Sequence, residues 1–160
     1  MNIIVKPYES SLNELVFIDQ LLLELQEHEH QFDSRKSVDM KNVAAYRTEL
    51  LETIRTKKGE LLLAYSNENI IGLLSWFIED EPEFNQPYGY ISDLVVLSEF
   101  RNQGIGKQLL GTAIEHIKSR SITRIHIGVM VDNIQTKVLY EKLGFAAYTL
   151  KMTMDITKPS

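Results

Sequence analysis

Apolar residues recur along the chain with two different periods, and the switches between those periods mark out its elements. Residues 2–8 (NIIVKPY) predict a short strand. Ser11-Leu12-Asn13-Glu14 then matches a capping box, with Ser11 and Glu14 satisfying the first free amides of a helix that runs to about His30. From Asp39 onward, Val43, Tyr46, Leu50 and Ile54 recur at spacings of three and four, the stripe of a second amphipathic helix. The period then drops to two. Residues 60–66 (ELLLAYS) and 70–78 (IIGLLSWFI) read as strands joined through Asn67-Glu68-Asn69 as a hairpin. Trp76 and Phe77 fall on opposite faces of the second strand, which predicts one in the core and the other toward a cleft or a partner. After the loop EDEPEFNQP, residues 88–97 predict a strand. Residues 105–118 carry Ile105, Leu109, Ala113, Ile114 and Ile117 at helical spacing. A further strand is predicted at 124–129, then a helix at 134–143 stopped by Gly144 as a left-handed C-terminal residue. Tyr148, Leu150, Met152, Met154 and Ile156 alternate with Thr149, Lys151, Thr153 and Asp155, predicting a last strand with one buried face. The element order β-αα-β-β-β-α-β-α-β describes a single α/β (α+β) domain over residues 1–160, built on one mixed sheet.

Composition narrows the classes. The 160 residues are 44% hydrophobic and 24% charged, enough apolar material for an ordered core and too little chain for two independent ones. A net charge of −5 argues against a general binder of nucleic-acid backbones. With no cysteine there is no disulfide, no thiolate zinc site and no cysteinyl intermediate. The first residues lack a basic and apolar leader, and no stretch reaches the roughly 18 apolar residues of a membrane span, so a soluble, cytoplasmic protein without a membrane partner is expected. The charge is also unevenly placed: between Lys58 and Arg101 there are eight acids and no Lys or Arg, leaving 17 basic against 14 acidic residues elsewhere. An acidic middle favours a cationic partner.

The chemistry concentrates in Arg101-Asn102-Gln103-Gly104-Ile105-Gly106-Lys107, between a predicted strand and a predicted helix. The first turn of a helix has free N–H groups and a partial positive charge, and glycines let an anion approach that backbone. A phosphate or pyrophosphate suits it. A tight turn with no ligand explains the same glycines equally well, and neither the dinucleotide fingerprint nor a GxxxxGK[ST] loop is present. Asp93 occupies a strand on the face of Ile91 and Val95, while Glu79 and Glu81 lie in the charged loop before that strand, where solvated charge is at least as good an account. His28 and His30, two apart on one helix, point to different faces, so no metal site is expected. Tyr140 stands seven residues after Asn133, on the same side of its helix two turns on.

YISDLVVLSEFRNQGIGKQLL followed by VDNIQTKVLYEKLGF resembles the GCN5-related N-acetyltransferase (GNAT) superfamily: an R/Q-x-x-G-x-G/A loop, then N-x-x-[AT]-x-x-L-Y-x-x-x-G-F. The resemblance covers residues 60–154 well and the first helices more loosely. It implies the acyl-CoA N-acyltransferase fold, with a mixed sheet splayed near residues 94–96 where the arm of acetyl-CoA, the co-substrate, inserts as a pseudo-strand. Leu94 and Val96 would then bond the pantetheine amides, and the amides from Gln103 to Lys107 (Gln103, Gly104, Ile105, Gly106, Lys107), with Arg101 and Asn102 in the same loop, would hold the pyrophosphate. Lys137 and Lys142 would stand near the anionic co-substrate. Asn133 would contact the arm. Tyr140 would sit near the thioester sulfur as general acid, and a strand N–H near Val95 or Val96 would polarise the carbonyl.

The acceptor would be a primary amine, and its proton would pass to a carboxylate. Asp93 is the first candidate, with Glu79 and Glu81 acting through water as alternatives. Two family patterns are broken: Ser92 stands where related polyamine acetyltransferases carry Glu, and Tyr90 where histone-type members place a Glu base. The residues around Phe32 and Asp33 would form one wall of the acceptor site. Other readings are a non-catalytic acyl-CoA-binding sensor, a different acyl donor or a hydroxyl acceptor, and a plain interaction domain. The alternating last strand is a candidate for pairing two subunits into a homodimer.

Overall fold

A computed structural model describes residues 1–157. Its strands are β1 (Ile3–Pro7), β2 (Glu60–Ser66), β3 (Asn69–Glu79), β4 (Tyr88–Val96) and β5 (Ile125–Ile127). Its helices are α1 (Leu15–His30), α2 (Met40–Thr56), α3 (Ile105–Ser119) and α4 (Ile134–Lys142). The strands form one sheet in the order β1-β2-β3-β4-β5, antiparallel except for the parallel β4–β5 pair. The hairpin turn at Asn67-Glu68 closes on a Ser66–Asn69 pair, with Asn67 in the left-handed region that Asn tolerates.

Helices cover both faces. On one, Ile18, Leu21 and Leu22 of α1 and Val43, Leu50 and Ile54 of α2 pack on Leu61, Leu63, Leu73, Phe77 and Val95. On the other, Ile105, Leu109, Leu110, Ala113 and Ile117 of α3 pack with Tyr140 on Leu62, Leu74, Trp76 and Ile91. Trp76 and Phe77 are both buried, one in each layer, so neither faces a cleft. Each buried aliphatic side chain in these layers contributes about 1.5–3 kcal/mol.

Two local expectations change. Ser11 gives no side-chain cap: its carbonyl accepts from the Glu14 N–H at the head of a 3₁₀ turn, and the Glu14 carboxylate instead accepts from the Tyr65 hydroxyl, a long-range bond that outcompetes the local box. Asp39 does cap α2, its Oδ1 accepting from the Lys41 N–H at 2.9 Å. The last predicted strand does not join the sheet. Residues 146–157 form no strand, and their alternating apolar side chains from Tyr148 to Ile156 are exposed, with no neighbouring strand among the described residues to pair with them.

The feature that shapes the site lies in β4. Trp76 pairs with Ile91 and Ser75 with Asp93, so Ser92 is an extra residue, a β-bulge. The inserted residue breaks the alternation. Ile91 faces the α3 layer while Asp93 and Val95 turn to the α1/α2 layer, which corrects the expectation that Ile91 and Asp93 share a face. Beyond Ile91 β4 also loses its other neighbour, since its pairing with β5 stops at Ile91–Ile127. The sheet therefore opens from Ser92 to Val96, slightly earlier than the splay expected near 94–96.

Candidate active site

The opening is the floor of a groove of 390 Å³, within the range of small-molecule sites. Ile91 to Val96 line one side, Ile127 to Met130 the other. Residues 100–107 in the loop and first turn of α3, less Gln103, line it together with Asn133 and with Leu139 and Tyr140 of α4, and Leu25, His28 and Glu29 of α1 and Phe32 just beyond it complete the lining. Glu79 and Glu81 do not line it. Glu79 accepts from Lys57 Nζ at 2.6 Å, and Glu81 accepts from the Tyr88 hydroxyl at 2.9 Å.

The loop end has the features of an anion site. Asn102 and Gly104 are left-handed, with φ of 61° and 79°, and together they turn the chain so that α3 begins at Ile105 with Gly104 as N-cap. Among the described residues, the N–H groups from Gln103 to Lys107 have no protein acceptor, as expected for a first helical turn without a capping side chain. A Cβ built on Gly104 meets nothing within 4 Å, so the space in front of that backbone is open. Lys107 lines this end without an ion pair among the described residues. Arg101 does not simply face it: its Nε donates to the Val96 carbonyl at 3.0 Å and its Nη2 to Glu24 at 3.0 Å, tying β4 to α1. Lys137 and Lys142 lie outside the lining, with Lys137 3.8 Å from Glu141.

Along the floor, the register decides which amides are free. Leu97 N–H donates to the Ile71 carbonyl, so Leu97, and two residues back Val95, point their backbone groups at β3. Leu94 and Val96 point theirs at the opening. Of the two amides expected to polarise a carbonyl, Val95 is committed to β3 and Val96 is free.

Tyr140 is 7% exposed, and its hydroxyl makes no hydrogen bond among the described residues. Burial pushes it up to about 12, so it is a proton donor at neutral pH. Asn133 caps α4, its Oδ1 accepting from the Thr136 N–H at 3.3 Å. Its Nδ2 is therefore the donor to His28 Nε2, at 3.4 Å. This contact spans the groove from α4 to α1. Burial, and then the nearby Arg101, hold the His28 imidazole below its usual pKa, consistent with a neutral ring whose Nε2 accepts.

On the α1/α2 side, Asp93 is 7% exposed and accepts from three hydroxyls: Tyr46 at 2.8 Å, Ser75 at 2.6 Å and Ser92 at 3.0 Å. Burial raises its pKa, and the three hydroxyl donors pull it back only in part. Tyr46 is itself raised, first by burial and then by Asp93. Glu29 also lines the groove, paired with Lys36 at 2.9 Å. His28, Glu29 and Tyr46 were missed from sequence. Their one signal was polar chemistry on otherwise apolar helical stripes. His28 and His30 diverge as their spacing requires, His30 Nδ1 lying 2.7 Å from the Lys36 carbonyl.

Of the eight acids between Lys58 and Arg101, only Asp93 lines the groove; Glu60, for example, is held by His116 and Arg120 on the α3 layer. The acidic middle of the sequence is thus scattered over the molecule and does not argue for a cationic partner. No helix among the described residues is long and apolar enough to cross a membrane.

Comparison with known proteins identifies the family and the fold. Over 140 residues the chain is 26% identical to a glucosamine 6-phosphate N-acetyltransferase of Trypanosoma brucei brucei, covering 84% of this chain and 86% of that protein. It is 37% identical over 60 residues to N-alpha-acetyltransferase 30 of Schizosaccharomyces pombe, covering 38% of this chain and 40% of the relative. The chain spans less than half the length of several such curated relatives. The crystal structure of the glucosamine-6-phosphate N-acetyltransferase of Arabidopsis thaliana superposes with a TM-score of 0.70 at 21% identity, covering 98% of this chain and all of the other, a likeness of fold. The model of the acetyltransferase (GNAT) family matches residues 20–145, and with most of the chain inside that match the protein belongs to this family.

Proposed function

We propose that the protein is an N-acetyltransferase that moves the acetyl group of acetyl-CoA directly to a primary amine. One observation carries this reading: at the opening of the sheet, free helix-terminal amides, unpaired strand amides, an unbonded phenol and a buried carboxylate line one groove. The open space before Gly104 and the unpartnered amides from Gln103 to Lys107 fit a pyrophosphate. The Leu94 backbone, turned away from β3, fits the amides of an extended arm in the manner of an added strand, with the Val96 N–H left for the acyl group beside it. Acetyl-CoA supplies the electrophilic thioester.

The chain's residues do the rest. The Val96 N–H, free of β3, donates to the acyl oxygen, where negative charge develops. Tyr140 donates its proton to the departing sulfur. Asp93 takes the proton that the amine must lose, through its own oxygen or the bridging Tyr46 hydroxyl, and its raised pKa makes it a stronger base than an exposed Asp. The two layers divide the work: the loop and Tyr140 belong to the α3 side, Asp93 and Glu29 to the α1/α2 side. Glu29 and Asp93 now carry the preference for a positively charged acceptor in place of the scattered acids.

The test mixes the protein with acetyl-CoA and a panel of polyamines, aminoglycosides, amino sugars and peptide amines, following free thiol and N-acetyl product. Thiol matched by acetylated amine is expected. Acetyl-CoA that raises the melting temperature but releases no thiol with any amine would instead mark a binding module.

A further inference from the structure

Glu24 stands on α1 one turn before His28 and outside the lining of the groove, yet it reaches the corner where β4 gives way to the loop before α3. Its Oε1 accepts from the Ser98 N–H at 2.6 Å and from Arg101 Nη2 at 3.0 Å. Arg101 in turn donates its Nε–H to the Val96 carbonyl at 3.0 Å. A chain of contacts thus runs from α1 through one guanidinium to the last residue of β4. Arginine suits that middle place, because its planar fork aims several N–H groups in fixed directions and can meet a carbonyl and a carboxylate together.

Two consequences follow for the groove. Val96 turns its backbone groups toward the opening, and β5 stops pairing with β4 at Ile91–Ile127, so no strand holds Val96 on that side. Arg101 takes the place of a strand there and fixes the direction of the Val96 carbonyl. The second consequence concerns charge. Among the described residues, the Lys and Arg side chains that line the groove are Arg101 and Lys107. Lys107 has no ion pair, whereas the Glu24 carboxylate compensates the charge of Arg101 and holds it away from any anion at the loop. The side chains of Glu24 and Arg101 are 20% and 37% exposed, so their attraction is only partly screened by water.

We propose that Glu24 is a positioning residue for acetyl transfer: it holds the Arg101 guanidinium on Val96, whose N–H meets the acyl oxygen, and withholds that guanidinium from the pyrophosphate. The inference rests on reading the groove as an acetyl-CoA site. Removing Glu24 then has two effects of opposite sign on catalysis. The freed guanidinium turns to the anion and tightens binding, while Val96 loses its anchor and the chemical step slows. A residue needed only for folding would weaken both.

The experiment pairs calorimetric titration with CoA, which carries the pyrophosphate without the acyl group, with kcat for acetyl transfer. Glu24→Ala should lower the Kd for CoA about three- to ten-fold, a gain that shrinks at high salt, and lower kcat about ten-fold. Glu24→Gln keeps an oxygen for both donors, so kcat should stay within about threefold of wild type. In an Arg101→Gln background Glu24→Ala should change the Kd by less than about twofold, since no guanidinium remains to be released. In the ligand-free protein, Glu24→Ala should speed deuterium exchange of the Ser98 amide and Glu24→Gln should not. Melting temperatures establish that each variant is folded. Glu24→Ala that weakens CoA binding, or a tighter Kd that persists without Arg101, would overturn the inference alone. Wild type that binds no CoA would overturn the acetyl-CoA reading and the inference with it. Wild type that binds CoA but acetylates no amine would overturn the transfer reading and the effect on kcat, and the cycle in Kd would still decide whether Glu24 withholds Arg101.

Discussion

Replacing Tyr140 by Phe removes one oxygen from the groove and nothing else. The ring keeps its place in the α3-layer core, with the Phe145 ring 5.9 Å away. That hydroxyl donates to no protein group among the described residues, so its loss breaks no bond. A desolvated polar group without a partner costs about 1–3 kcal/mol, and because this one still touches the groove's water, Tyr140→Phe should be neutral or stabilising by at most about 1 kcal/mol. For a domain of this size that is a rise of no more than about 4 °C in melting temperature. Turnover should move the other way. A positioned general acid contributes about 10²–10⁴-fold, and water that can enter an open groove replaces part of it, so kcat should fall about 10²-fold, equivalent to about 2.7 kcal/mol of barrier. The KM for acetyl-CoA should hold within about twofold, because the loop amides, Leu94 and Val96 are untouched. Thiol release under saturating amine, with KM for each substrate and a melting curve, measures all three. A kcat within threefold of wild type would remove Tyr140 as the acid, and a melting temperature lower by about 8 °C or more would show that the hydroxyl is structural.

Asp93→Asn should cost about 10²-fold in turnover, while stability responds with pH. Burial raises the folded-state pKa of Asp93 above its unfolded value. The stability it contributes is therefore present below the unfolded pKa of about 3.9 and lost as pH rises through the folded value. The melting temperature of Asp93→Asn relative to wild type should accordingly become more favourable between about pH 4 and pH 8; a constant difference would contradict the raised pKa. Gly104→Ala forces a Cβ into φ +79° and should cost about 1–2 kcal/mol, raising the KM for acetyl-CoA several-fold with kcat held, read from steady-state kinetics and thermal melts. Gly59→Ala places its Cβ 2.0 Å from the Trp76 carbonyl oxygen and 2.7 Å from Phe77 Cα, so backbone must move. A loss of about 4 kcal/mol or more is expected by denaturant titration, and a mild loss would mean that the β2 entry is softer than it looks.

Period and punctuation located nine of the ten predicted elements, most of them within a residue or two, because helices record a buried stripe and buried strands read as apolar runs between turn signals. They failed where a distant group decides the outcome. Glu14 reads as half of a capping box until Tyr65, 51 residues away, claims its carboxylate. Asp93 reads as a neighbour in facing to Ile91 until the extra Ser92 turns it toward Tyr46. Nothing local marks a bulge at Ile91-Ser92-Asp93, since an inserted residue alters pairing rather than composition. The open helix start from Arg101 to Lys107 was legible because glycine and helix-start signals are local. The cluster of Glu29, Tyr46 and Asp93 was not, because its members come from three elements. The alternation from Tyr148 to Ile156 is strand-like, but no strand among the described residues takes it as a neighbour, and alternation alone does not supply one.

The parallel seam between β4 and β5 is three residue pairs long, from Gly89–Ile125 to Ile91–Ile127. Residues 125–157 hang on that seam, on contacts of α4 with the α3 layer and on a few side-chain contacts such as Asn133 with His28 and Asp155 with Arg35. Amides of Ile125 to Ile127 should therefore exchange with deuterium through a local opening, ahead of those in β2 and β3, which are flanked on both sides. A ligand whose own amides bridge Leu94 and Val96 to the β5 side would extend the seam across the gap, so slowed exchange at Ile127 would register an occupied groove before any chemistry has occurred.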